Sequence, residues 1–235
     1  MSASENSPAP EYLDQGSYTV AYSIQDQRDE IELPKLLDTI DKATVRHTGW
    51  PPFWVPTRQE IRPRPVGKAI VCNLFTKEKW QTEPGHCDYW MVTNKARAVL
   101  IRGFQEDDIS DKWKRGTKFD ITLPVWRIGE CILQSAEFAN KLELPNSKIE
   151  FQCHWRGLRG RQLASLSGNR FVSDYFKCDT ASHQEKMTFH ASDAKKILPE
   201  LLHPFLKNLY SQFDFFELPK QLVDEEIQRM RSNRF

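Results

Sequence analysis

Apolar and polar positions along the chain change period several times, and each change marks an expected element. Ile31, Leu33, Leu36, Leu37, Ile40 and Val45 recur at helical spacing, with Pro34 suited to a first turn, and predict a helix over 34–46. Gly49 and a run of prolines end it, and extended chain follows. Alternation with period two predicts a strand over 66–75 (Ile70, Cys72 and Leu74 on one face). Over 88–104 the β-branched and aromatic content favours two strands, 89–92 and 98–101. A helix through Ala96, Arg97, Ala98 and Leu100 competes with that reading. A strand over 119–123 runs into Pro124, where the period switches to that of a long helix ending near Leu142, with Val125, Ile128, Ile132, Ala136 and Ala139 inward.

Residues 149–166 read as strand, turn and return strand. Ile149, Phe151 and Cys153 alternate with Glu150, Gln152 and His154, and the return begins near Leu163. Further strands are expected over 170–176 and 180–189. A helix capped by Ser192 follows, its stripe running Ile197, Leu201, Phe205, Leu209 and Phe213, with Pro199 and Pro204 kinking or splitting it. A last amphipathic helix covers 218–230. Near the N-terminus Tyr18, Val20 and Tyr22 alternate and suit a short edge strand or a docking arm. The expected organisation is a flexible arm over 1–29, an α+β domain over 30–217, and a C-terminal helix with a basic tail over 218–235. The fold class is α+β: an antiparallel sheet covered by the long central helix and the C-terminal helices.

Composition narrows the function classes. With 39% apolar residues and 11% aromatics in 235 residues, the chain can bury a sizeable core. A net charge of +1 gives no global attraction to nucleic acid or membrane, so any such attraction must be local. No apolar run approaches the roughly 20 residues of a membrane span, and the first ten residues do not resemble a signal peptide, so a cytoplasmic protein without membrane contact is expected. Five dispersed cysteines fit reduced thiols better than a disulfide framework. His86-Cys87 is the nearest approach to a metal motif and lacks a second ligand pair, so neither metal nor cofactor is expected.

The chain carries no phosphate loop, dinucleotide fingerprint, nucleophile elbow or HExxH, and no residue is assigned a catalytic role. A triad from Cys153 or Ser165 could be drawn only on paper. The stretch with a chemical case is the arginine-decorated turn: Trp155, Arg156, Arg159 and Arg161, with Arg170 close behind. Guanidinium forks suit phosphate or carboxylate oxygens, and an indole offers a stacking face. A solvated turn whose arginines pair with local acids, Glu130 or Glu137 among them, explains the same residues. Arg58, Arg62 and Arg64 form a second basic strip, able to extend the footprint if it lies alongside. Trp50, Phe53 and Trp54, set among prolines, suit either an aromatic pocket or packing of the loop on the sheet.

Five segments together resemble a known arrangement. They are His47-Thr-Gly-Trp-Pro-Pro-Phe53, Arg102-Gly-Phe-Gln-Glu-Asp107, Thr122-Leu-Pro-Val-Trp-Arg-Ile-Gly-Glu130, Trp155-Arg-Gly-Leu-Arg-Gly-Arg161 and Leu209-Tyr-Ser-Gln-Phe-Asp-Phe215. Across about 33–215 the chain resembles the C-terminal module of bacterial multidomain proteins that carry a Schlafen-type AlbA domain, a family described as nucleic-acid-binding and ATPase-like transcriptional regulators. The present chain has no room for the AlbA domain, so that domain's properties are not expected of it. The resemblance implies a sensory or binding module in regulation or phage defence. The expected function is therefore a non-catalytic module acting through a protein partner or through self-association. The alternative is a nucleic-acid-binding protein or nuclease component using the 156–161 turn.

Overall fold

A computed structural model describes residues 13, 16–74, 85, 88–108, 113–165, 167–168 and 170–232. The expected helix at the start is α1, Leu33–Lys42, which stops short of Arg46 where Ala43 caps it. Two hairpins follow: β2 (Arg64–Val66) with β3 (Ala69–Asn73), and β4 (Asp88–Thr93) with β5 (Arg97–Gly103). The strand reading of 88–104 holds against the helical one. Ala96 turns the second hairpin in the left-handed region, at φ 51°.

The first strand, β1 (Ser17–Ile24), is not at an edge. With β7 (Lys148–Arg156) and β9 (Ser182–His190) it completes an antiparallel sheet of order β2-β3-β4-β5-β1-β7-β9, in which β1 lies between β5 and β7. Its alternation explains the position. Tyr18, Val20, Tyr22 and Ile24 are buried on the helix-covered face, while Thr19, Ala21 and Ser23 are half-buried on the other. Residues 17–24 thus belong to the centre of the sheet.

Residues 149–166 do not form a hairpin. β7 runs between β1 and β9, and the short β8 (Gln162–Ala164) leaves the sheet to pair in parallel with β6 (Lys118–Asp120). The strand expected over 170–176 is absent: that segment is loop, followed by an isolated bridge between Lys177 and Gln162.

The long helix α2 (Leu123–Lys141) is buried almost all round, including Arg127, Glu130, Gln134 and Ser135. It contacts β1 and β7 on one side and α1, α4 (Leu198–Ser211) and α5 (Lys220–Arg231) on the other. Gly129 permits the close approach of α5: a Cβ there would lie 3.3 Å from Ile227 Cδ1. The proline-rich stretch after β9 splits as expected, into a short α3 (Ala191–Ala194) and α4 (Leu198–Ser211), which keeps Pro204 inside. The last helix is α5 (Lys220–Arg231).

The start of α2 is held by a side chain two residues upstream of its N-cap, Thr122. Asp120 Oδ1 accepts hydrogen bonds from Thr122 N (2.7 Å), Leu123 N (2.8 Å) and the Thr122 hydroxyl. It satisfies amide donors that the first helical turn leaves unpaired. Replacing Asp120 with alanine is expected to cost about 1–2 kcal/mol. A urea titration showing an unchanged midpoint would exclude this capping role.

Candidate functional site

The arginine-bearing turn after β7 is folded back on the protein. Gly157 and Gly160 take φ 72° and 79°, conformations that favour glycine, and the buried Leu158 between them pins the loop. Its amide donates to Ala181 O (3.1 Å), and Gly160 N donates to Cys178 O (2.7 Å). This geometry divides the residues expected to act together. Trp155, on the core face of β7, is 1% exposed and packs edge-on against Phe205 at 5.7 Å. Its indole therefore offers no face to a base in solution, which corrects the stacking expectation.

Arg161 is 0% exposed and also points inward. It pairs with both carboxylate oxygens of Asp107 (Nη1–Oδ1 3.0 Å). It donates as well to Lys118 O and Gly157 O, both at 2.7 Å, and lies over the Phe104 ring at 4.7 Å. Arg170 is taken up by Glu225 (3.0 Å) and Glu226 (2.6 Å) of α5. The pairing with acids anticipated for a structural turn is present, but the acids are Asp107, Glu225 and Glu226 rather than Glu130 or Glu137. Arg156 and Arg159 remain exposed, Arg159 Nε donating to Asp179 O at 3.1 Å.

The second basic strip lies apart from this turn. Arg58, Arg62 and Arg64 are exposed at or beside β2, and five inter-strand steps of about 4.8 Å put β7 some 24 Å away. The two strips do not lie side by side.

Of the aromatic trio, Phe53 is fully buried with φ 54°, its ring edge-on to Tyr22 at 5.6 Å and tilted against Trp90 at 6.2 Å. Trp50 and Trp54 are half-buried and pack edge-on at 5.1 Å. Trp90 Nε1 donates to Trp54 O (2.9 Å), and Trp50 Nε1 donates to Asp88 Oδ2 (3.3 Å). These contacts fasten the loop to the sheet, as the packing reading requires.

The largest concentration of chemistry was not among the sequence candidates. It is a buried frame of charges at one end of the sheet. Arg102 Nε donates to Asp88 Oδ1 (2.6 Å), and its Nη atoms reach Asp88 Oδ2 and the carbonyls of Trp50 and Pro51 (3.2 Å each). Glu130 accepts from the amides of His47 and Thr48 (2.8 Å each), and Arg127 donates to Gln105 Oε1 (2.6 Å). Glu106 accepts from Asp120 N at 2.7 Å; burial, then the Asp120 charge, pushes its carboxyl up to about 8. Most of its residues fall in three of the quoted segments, 47–53, 102–107 and 122–130, but nothing in the polar run Gln105 to Asp108 marks it as buried. Beside this frame, Tyr18, Phe104, Phe119 and Arg127 wall a crevice with about 20 Å³ of room, enough for one water molecule.

The frame fixes loops: Asp88 is engaged with Arg102, Glu130 with Arg127 and two loop amides, and Glu106 with the Asp120 amide. Three buried thiols are likewise held protonated. Burial pushes Cys72 and Cys131 up to about 12 and Cys153 well above the usual thiol range, so Cys153 is not poised as a nucleophile. Cys72, Cys131, Cys153 and Cys178 are free; His86 and Cys87 lie outside the described residues. Among the described residues no group of three ligating side chains is gathered for a metal, and no helix is long and apolar enough to cross a membrane.

On the outside, three exposed aromatics lie on two adjoining segments. Phe171 (96% exposed), Tyr175 (71%) and Phe216 (57%) project from the loop before β9 and from the α4–α5 connection. Beneath them Tyr175 packs on Phe176 at 4.4 Å, and Phe176 packs edge-on against Phe215 at 5.0 Å. Comparison with protein-family models, with curated proteins and with solved structures finds no match to this chain.

Proposed function

We propose that this chain is a non-catalytic binding or sensor module whose main contact is with a partner protein. The observation carrying this reading is the patch of Phe171, Tyr175 and Phe216. Single exposed apolar residues are ordinary, but three aromatics on two adjoining segments are the composition of an interface core. The surface around them is prepared for contact. Arg170 ties the aromatic loop to α5, Gln162 Nε2 donates to Asp174 Oδ1 (2.7 Å), and Cys178 N donates to Arg161 O (2.9 Å). A loop already ordered loses less entropy on docking. Arg159, bonded to Asp179 O, stands at the end of the same loop as a rim charge. The resemblance of the five quoted segments to AlbA-associated modules supports a partner within a bacterial regulatory or phage-defence assembly.

A photo-crosslinking residue at position 175, in the full chain expressed in its native cells, tests the reading. A defined protein adduct, from a second copy or another chain, is expected. Combining Phe171→Ser with Phe216→Ser should reduce it at least tenfold without lowering Tm. No adduct above that from a crosslinker at position 42, on the far side of α1, would overturn the proposal.

A further inference from the structure

Among the described residues no helix covers one face of the sheet, and the chemistry of that face differs from that of the chain as a whole. Residues paired across an antiparallel ladder point to the same side. One row therefore crosses all seven strands: Arg64, Val71, Met91, Val99, Ala21, Gln152 and Lys186. The adjacent row places Tyr89 beside Ile101, then Thr19 and His154. By the same alternation Arg97, Lys148 and Arg156 share this face, with Glu150 as its one acidic strand residue among those described.

The five basic side chains against one acid stand out on a chain whose total charge is +1. They are also unneutralised. Some exposed lysines elsewhere pair with acids, as in Lys42–Asp38, Lys68–Glu30 and Lys220–Asp224. Arg97, Lys148, Arg156 and Lys186 form no ion pair among the described residues. On this face partial burial, then the charges of Arg156 and His183, hold His154 below the usual imidazole value.

We infer that this open face binds single-stranded nucleic acid, with phosphates on Arg97, Arg156 and Lys186 and a base over Tyr89. Two features choose this occupant over an acidic protein. The cations are spread along the sheet rather than gathered, so they match a ligand with repeated charge. Between them runs a half-buried strip of Tyr89, Met91, Val99 and Ile101, a surface on which flat bases can lie. A duplex would hide those bases. This site is on a different surface from the aromatic patch, and the two proposals stand or fall separately.

The test is fluorescence anisotropy of the full chain with labelled 15-nucleotide single strands of DNA and RNA, a duplex of the same length, and poly-glutamate. Saturable binding to a single strand is expected, tighter than to duplex or poly-glutamate. Log affinity should fall linearly with log salt, and Arg97→Ser with Lys186→Ser should reduce that slope by about 1.4. Tyr89→Ala should weaken binding roughly 5- to 150-fold. Circular dichroism melts of these variants should match the parent, and Lys42→Ser should leave binding unchanged. No saturable binding, equal binding of poly-glutamate, or indifference to the Arg97/Lys186 and Tyr89 changes would each overturn the inference.

Discussion

Replacing Arg161 with alanine is expected to cost about 3–5 kcal/mol of folding stability, whereas Arg159→Ala, two residues away, should change it by less than about 0.5 kcal/mol. The difference is in what each deletion leaves behind. Arg159 is exposed, and its loss exposes one carbonyl to water. Loss of Arg161 leaves the Asp107 carboxylate, 1% exposed, with the amide of Gly116 (2.7 Å) in place of a bidentate guanidinium. It also removes the donor to Lys118 O and Gly157 O, which joins β6 to the turn after β7. Chemical denaturation of the two variants at neutral pH provides the measurement. Adding Asp107→Asn to Arg161→Ala should recover part of the loss, because the stranded charge is then gone. Equal midpoints for Arg161→Ala and Arg159→Ala would show that Arg161 is solvated, contrary to the structure.

That contrast also shows what a single sequence could and could not disclose. The periods of α2 and of the β4–β5 pair were legible because the relevant neighbours lie within one turn or one hairpin. Val125, Ile128, Ile132, Ala136 and Ala139 are all on the buried side of α2, as their spacing required. The centrality of β1 was not legible. Its partners are β5 and β7, far along the chain, and its polar flanks resembled those of an edge. Nor could composition separate Arg156 and Arg159 from Arg161. The glycine-turn geometry and the loop at 178–181 decide which guanidinium turns inward, and its acid stands 54 positions away. Trp155 faced a similar ambiguity: alternation placed it with Cys153, but only the helix layer over that face makes it core. The open-face charges were visible as residues, but their grouping depends on the register of all seven strands.

Stability should fall as pH rises from about 5 to above 8, in a component that Glu106→Gln removes. Glu106 is buried between β5 and β6. Burial and the nearby Asp120 charge push its carboxyl up to about 8, against the lowering influence of its backbone hydrogen bonds and Arg161. The unfolded chain releases this proton near pH 4.3. Between those values the folded state binds more protons than the unfolded one, so raising the pH favours unfolding. The contribution is fully present below about pH 4.3 and is lost as the pH rises through 8. Its size is on the order of a few kcal/mol, at about 1.4 kcal/mol per pH unit. Glutamine keeps an oxygen for the Asp120 amide but has no proton to lose, so it mimics the neutral acid. Urea unfolding at half-unit pH steps should give nearly equal stability for both proteins at pH 5, with the glutamine variant increasingly more stable towards pH 8.5. Other titrating groups contribute equally to both curves and cancel in the difference. A difference that stays constant across this range would mean that Glu106 is ionised throughout, stabilised by Arg161 more strongly than the Asp120 charge opposes it.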